Sequence, residues 1–228
     1  MPKPRKIATS VGKESIEDRR KRAMKILAEL KKLYPDADCE LKHRSGLQLL
    51  VATILSAQCT DERVNMITPG LFARYPTAQD FAALRQEVLE REIRSTGFFR
   101  NKARNIIAAS KKIVEDFGGQ VPRTMEEMLT LPGVARKTAN VVLGSAYGLA
   151  AGVVVDTHVF RVAQRLKLSK QKTPEKVEQD LMKLVPQDRW ITFGHQVIWF
   201  GRKICQARKP LCAECPLNAL CDSRDKRV

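Results

Sequence analysis

The sequence predicts an all-α fold, and three observations carry the prediction. Apolar residues recur at helical spacing through most of the 228 residues; Ala23, Ile26, Leu27, Leu30 and Leu33 are the first such set. Nearly every helical run opens on a Ser, Thr or Asp or closes on Gly or Pro, the residues that start and stop helices. No segment alternates apolar and polar long enough for a sheet, since Val153-Val154-Val155 is too short and leads straight into Asp156-Thr157-His158.

Taken in order, residues 1–13 form a basic arm expected to be disordered. Glu14 to Tyr34 is one amphipathic helix, stopped by Pro35. Leu47 to Ala57 is apolar nearly all round, which marks a buried helix capped by Ser45. Gln58-Cys59-Thr60-Asp61 breaks it, and Asp61 is the expected cap of the next helix. Thr68-Pro69 and Thr77-Ala78-Gln79-Asp80 read as two further helix starts, the first with Pro at the opening position and the second as a capping box. Gln86 to Arg94 is a short helix. Thr96-Gly97-Phe98-Phe99-Arg100-Asn101-Lys102 is expected to be a polar loop with two aromatics. Arg104 to Phe117 is helical and ends at Gly118-Gly119.

Residues 125–148 then read as helix, tight turn, helix around Leu131-Pro132-Gly133-Val134-Ala135-Arg136-Lys137-Thr138-Ala139. Gly133 admits a backbone conformation closed to other residues. The N–H groups that follow open a helix without intrahelical partners, so they can hold an anion such as a phosphate. Three more helices follow: from Asp156 to about Leu166, from Thr173-Pro174-Glu175 to about Leu184, and from about Asp188 to Ile204.

Charge points to the partner. With 41 basic and 25 acidic residues the net charge is +16, which favours nucleic acid first and an acidic membrane surface second. No apolar run reaches the roughly 18 residues of a membrane span. The first 22 residues carry eight basic and three acidic side chains and no apolar core, so no secretory signal is read there. A soluble, intracellular, bacterial-type protein is expected, cytoplasmic and associated with the nucleoid. Its cysteines are expected to be reduced unless a metal holds them.

Cys39 and Cys59 stand in apolar contexts and read as small buried hydrophobes. The other four, Cys205, Cys212, Cys215 and Cys221, fall within 17 residues in the order Cys-x6-Cys-x2-Cys-x5-Cys. That density marks a metal site. One Cys-x2-Cys pair with unequal arms favours a [4Fe–4S] cube over zinc without deciding between them. Arg202, Lys203, Arg208 and Lys209 surround the loop with positive charge suited to a phosphate backbone.

Lys137 sits one turn into the helix after the Pro-Gly turn. The helix dipole there works against a positive charge, which favours an amine able to act as nucleophile and Schiff-base former. Asp156, on its own, is a helix cap. Beside Lys137, its carboxylate would take a proton or stabilise a developing cation.

These motifs together resemble the endonuclease III family of DNA glycosylases. The match runs over Leu55-Ser56-Ala57-Gln58-x-Thr60-Asp61, Thr96-Gly97-x-x-x-Asn101-Lys102-Ala103, the Leu131–Ala139 stretch, Val155-Asp156-Thr157-His158-Val159-Phe160-Arg161-Val162 and the cysteine loop, all in family order over about residues 20 to 222. The resemblance implies a helix-hairpin-helix glycosylase with a [4Fe–4S] cluster, acting on duplex DNA with oxidised pyrimidines or abasic sites as glycosylase and abasic-site lyase. By position it implies Lys137 as nucleophile and Asp156 as its carboxylate partner. Gln58 and Phe98 fall where the family fills the hole left by the flipped base. Gly133 and Ala135 fall in the phosphate-binding hairpin, and His158 at the pocket wall. Ala135 stands where the family usually has Gly, and Phe98 where it commonly has Leu. Core packing remains the other reading of Phe98 and Phe99.

The implied architecture is two helical lobes with a groove between them. One spans about 38–150 and includes the hairpin. The other joins 14–37 to 151–228 and holds the cluster loop. A monomer is expected. The rivals are a monofunctional mismatch or pyrimidine-dimer glycosylase of the same fold, and a non-enzymatic DNA-binding iron–sulfur protein. Lys137 argues against the mismatch enzymes, which resemble this chain but lack a Lys at that position.

Overall fold

The computed structural model describes residues 14–227, so the basic arm at 1–13 lies outside the described residues. Eleven α-helices make up the described chain, joined by short connections, with no strand among the described residues. Two separate hydrophobic cores organise them.

The first core is built by helices two to eight. They are α2 (Gly46–Leu55), α3 (Asp61–Arg74), α4 (Ala78–Ala83), α5 (Gln86–Ile93), α6 (Phe99–Phe117), α7 (Met125–Leu129) and α8 (Arg136–Tyr147), after α1 (Ile16–Leu33). Apolar α2 runs through the middle, with Leu49, Leu50 and Leu55 at 1% exposure or less, and packs on α6 and α8. Ser45 caps it as expected, accepting from the Gln48 N–H.

The second core joins the two ends of the chain. α1 lays Ala23, Ile26, Leu27 and Leu30 against α10 (Pro174–Leu184) and α11 (Trp190–Lys203), with α9 (Thr157–Arg165) beside them. Arg22 pins α1 down by donating to the Leu166 and Leu220 carbonyls at 2.6 and 3.3 Å. Phe193 and Phe200 of α11 fill the centre; removing either ring would cost about 3–5 kcal/mol.

Three polar and small-residue contacts join the two cores. Buried Glu178 of α10 accepts from Arg136 Nε at 2.6 Å and from Asn140 Nδ2 at 2.8 Å, both on α8. Ser145 of α8 meets His195 of α11 at 3.1 Å. Gly144 lies so close to Ile191 that an added Cβ would stand 3.3 Å from it.

Three element boundaries differ from the sequence reading. Thr68-Pro69 starts no helix: Pro69 lies inside α3, where buried Val64, Thr68 and Leu71 keep one apolar stripe going across it. The packing of that stripe outweighs the one backbone bond Pro removes. Thr60, not Asp61, caps α3, its hydroxyl accepting from the Arg63 N–H. The loop expected at 96–102 is shorter, because α6 begins at Phe99. Gly97 at φ 68° and Phe98 at φ 48° make the whole bend in two residues.

Candidate active site and nucleic-acid interface

The hairpin between α7 and α8 is shaped by Gly133. Its φ is 76°, and a Cβ there would stand 2.7 Å from the Asn105 Cβ of α6. The position therefore excludes a side chain twice, by backbone conformation and by space. Ala135 is the N-cap of α8 at φ −91° and ψ 168°, ordinary extended backbone. Ala is thus accommodated where the family usually has Gly. No side chain caps α8, so the first-turn N–H groups stay open at the surface, beside exposed Gly133 and Ala135.

Lys137 lies in that first turn, half-buried. Asp156 lies across the groove at the start of α9. Its Oδ1 accepts from the His158 and Val159 N–H groups, both at 2.8 Å. The cap reading holds: one oxygen caps the helix, and Oδ2 takes no part in the cap. Lys137 and Asp156 line one cavity with Asp38, Ser56, His195 and Trp199. Val141 of the first core and Val154 at the junction floor it. Burial pushes the His195 imidazole below its ordinary value; Asp38 opposes this and Lys137 adds to it.

Gln58 and Phe98 stand out by backbone strain. They are two of the three non-glycine residues with positive φ among those described, at 52° and 48°. Both side chains are exposed, Phe98 at 62%. Phe98 does not pack in the core; Phe99 does, against the first core.

His158 faces a neighbouring hollow with Glu40, Cys59, Thr60, Asp61 and Arg202 rather than the Lys137 cavity. Its Nδ1 lies 3.2 Å from Arg161 Nη2, and burial lowers its pKa. Arg202 is held by two carboxylates, Glu40 at 2.5 Å and Asp61 at 2.8 Å. Arg202 and Lys209 are both exposed, but Arg202 has its charge paired and lines both this hollow and the Lys137 cavity.

Cys205, Cys212, Cys215 and Cys221 line one cavity, walled by Leu166, Phe200, Ile204 and Leu211. Thiols ranged around a volume suit a cube, whose irons occupy separate corners. Burial pushes the Cys205 and Cys215 thiols up, and Arg165 pulls Cys205 back down.

Sequence reasoning gave no role to the side chains that tie this loop down. Arg165 Nη1 and Nη2 donate to the Gln206 and Ala207 carbonyls at 2.7 and 3.0 Å, and Arg161 Nη2 donates to Cys205 and Gly201. Their spacing of four on one helix was the available signal: two arginines on one face, each with donors enough for several carbonyls. Buried Glu178 carried no signal that separates it from surface charges, and buried Lys102 stood in the matched stretch at 96–103 with no role given to it.

The comparisons with known proteins agree with this geometry. Residues 51–187 match the HhH-GPD superfamily of base excision DNA repair proteins, and residues 205–221 match the iron–sulfur binding domain of endonuclease III. The chain is 60% identical over 205 residues to endonuclease III of Synechocystis sp., covering 90% of this chain and 94% of that one. It is 48% identical to endonuclease III of Bacillus subtilis, covering 86% and 89%. A trapped endonuclease III–DNA covalent intermediate superposes with a TM-score of 0.85 at 45% identity, covering 89% of this chain and 95% of that one. The cofactor is a [4Fe–4S] cluster, no described helix is long and apolar enough to cross a membrane, and the chain binds DNA. The chain belongs to the endonuclease III family of base excision repair enzymes, DNA glycosylases with abasic-site lyase activity.

Proposed function

We propose that the chain removes oxidised pyrimidines from duplex DNA and cuts the resulting abasic site through a Schiff base on Lys137. The observation that carries this reading is that Lys137 and Asp156, from different helices and opposite sides of the groove, line one cavity. The relative captured as a covalent intermediate with DNA supports it.

The steps follow from the residues. The damaged base rotates out of the stack, and Gln58 and Phe98 fill the space it leaves. Asp156 takes a proton from the Lys137 ammonium, leaving a neutral amine. Lys137 Nζ bonds to the sugar carbon C1′ as the C1′–N bond to the base breaks, and the electron pair leaves with the base. Asp156 passes the proton it holds to the departing base, and its restored carboxylate stabilises the positive charge left on the sugar and the Lys137 nitrogen. Ring opening gives the Schiff base. Loss of a proton from C2′ then expels the 3′ phosphate by β-elimination, and water releases Lys137. The open N–H groups after Gly133 and Ala135 hold a backbone phosphate and fix the register of the strand. Lys209 adds charge to the same face, while His158 and Arg202 shape the groove wall beside it.

Cys205, Cys212, Cys215 and Cys221 hold the cluster; bound there, it fixes the loop that presents Lys209. The lobes are divided at about 38–150 and at 14–37 plus 151–228. The protein acts as a monomer on nucleoid DNA in the cytoplasm.

Borohydride reduction on a duplex with one abasic site tests the nucleophile. A covalent adduct with the wild type and none with Lys137→Gln is expected. An adduct that survives Lys137→Gln would move the nucleophile elsewhere. No adduct with either, despite tight binding, would leave a monofunctional glycosylase or a binding protein.

A further inference from the structure

We infer that Lys102 is a positioning residue that clamps the two base-displacing loops together, a role that rests on the assignment of Gln58 and Phe98 as wedges. Its side chain is buried, 4% exposed. Nζ donates to the Leu55 carbonyl at 2.8 Å and to the Thr96 carbonyl at 2.8 Å. Leu55 ends α2, three residues before Gln58, and Thr96 lies two residues before Phe98. One ammonium thus ties the roots of both loops.

The chemistry of the site argues against simple packing. Among the described residues Lys102 has no carboxylate partner, and burying an ammonium costs several kcal/mol. Burial accordingly lowers its pKa. A Met or Leu would fill the same space without that cost, but neither could join two carbonyls. The carbonyl end of α2 is also where a helix dipole favours a cation.

The tie falls where strain needs it. Gln58 and Phe98 both hold left-handed backbone, at φ 52° and 48°. Such a conformation is strained for a non-glycine residue and persists only where the surroundings enforce it. Lys102 also closes the Phe98 bend from the other side, its own N–H donating to the Phe98 carbonyl at 3.2 Å. The clamp therefore fixes how far each wedge reaches and the distance between them.

Mutant combinations on two substrates test this. The Gln58→Ala, Phe98→Ala double variant is expected to lose about tenfold or more in excision from a lesion-bearing duplex, the scale set by a small misplacement of a positioning group. Lys102→Met should lose a similar factor. Adding Lys102→Met to the double variant should cost no more than about twofold further, because the wedge side chains that the clamp positions are already gone. On a preformed abasic site in single-stranded DNA, where no stack has to be opened, Lys102→Met should cleave within about twofold of wild type. Lys102→Gln keeps a donor and carries the same series if Lys102→Met does not fold. A full additional loss in the triple variant, or an equal loss on the single-stranded substrate, would overturn the clamp. Wild-type excision by the double variant would instead overturn the wedge assignment beneath it.

Discussion

Replacing Gly133 by Ala tests the hairpin most directly. Two penalties combine. The backbone at φ 76° costs an Ala roughly 1–2 kcal/mol relative to Gly. The new methyl would also stand 2.7 Å from Asn105 Cβ and 2.7 Å from Asn105 Nδ2. A rotamer change can carry Nδ2 away, but Cβ is fixed to the backbone of α6. The hairpin and α6 must then separate by about 1 Å to reach ordinary carbon contact, and such overpacking costs about 1–3 kcal/mol. The sum is about 2–5 kcal/mol, read by urea unfolding. A companion variant separates the two parts. Asn105→Gly removes the opposing Cβ, so the loss caused by Gly133→Ala should be at least about 1 kcal/mol smaller in the Asn105→Gly background than in the wild type, the cost of the helix glycine cancelling in that comparison. DNA affinity should follow the same order, because the shifted hairpin no longer aims its N–H groups at the phosphate. Gly133→Ala within about 0.5 kcal/mol of wild type would refute the steric argument. So would a loss that Asn105→Gly fails to reduce.

Three further outcomes follow from the site. Asp156→Asn keeps an oxygen able to accept the two cap hydrogen bonds, so stability should change by less than about 1 kcal/mol; base release, timed in single turnover, should fall at least about a hundredfold because the carboxylate charge is gone. His195 has its pKa lowered in the folded state, mainly by burial. Between that lowered value and the ordinary value of 6.5 the unfolded chain binds more protons, so the stability is fully present above 6.5 and falls as pH drops below it; urea midpoints across pH 7 to 5 should fall less steeply for His195→Gln. Removing residues 1–13 deletes Lys3, Arg5, Lys6 and Lys13, and the plot of log affinity against log salt should flatten by up to about 3–4 in slope; an unchanged slope would exclude the arm from binding.

Most of the fold was legible in the sequence because its helices are marked locally. Ser45, Thr77, Thr124 and Thr173 each cap the helix they precede, and a cap signals through one residue and the few after it. Pro69 and Asp61 misled for the same reason: what happens there is decided by the buried stripe of α3 and by Thr60, neither visible as a start signal. Lys137 and the cysteine loop were legible as chemistry. The part that stayed hidden is pairwise. Nothing in the order of residues says that Arg202 faces Glu40 and Asp61, that Glu178 receives Arg136, or that Lys102 bridges Leu55 to Thr96. Those contacts join residues 6 to 162 positions apart, and they are created only by the packing of one element on another.

The pairing of α1 with α11 sets the order in which the molecule can be finished. α1 ends at Leu33 and α11 begins at Trp190, so during synthesis the first helix waits for its partner through most of the chain. At about 5–20 residues per second that delay is on the order of ten to thirty seconds. Meanwhile the lobe carrying Lys137 has every helix of its own core and can close. The far wall of the catalytic cavity, with Asp156, His195 and Trp199, comes later, and the cysteine loop later still. A ribosome-bound chain therefore holds the Pro-Gly hairpin before it holds both Lys137 and Asp156, and the apolar face of α1 stays exposed until α11 emerges to cover it.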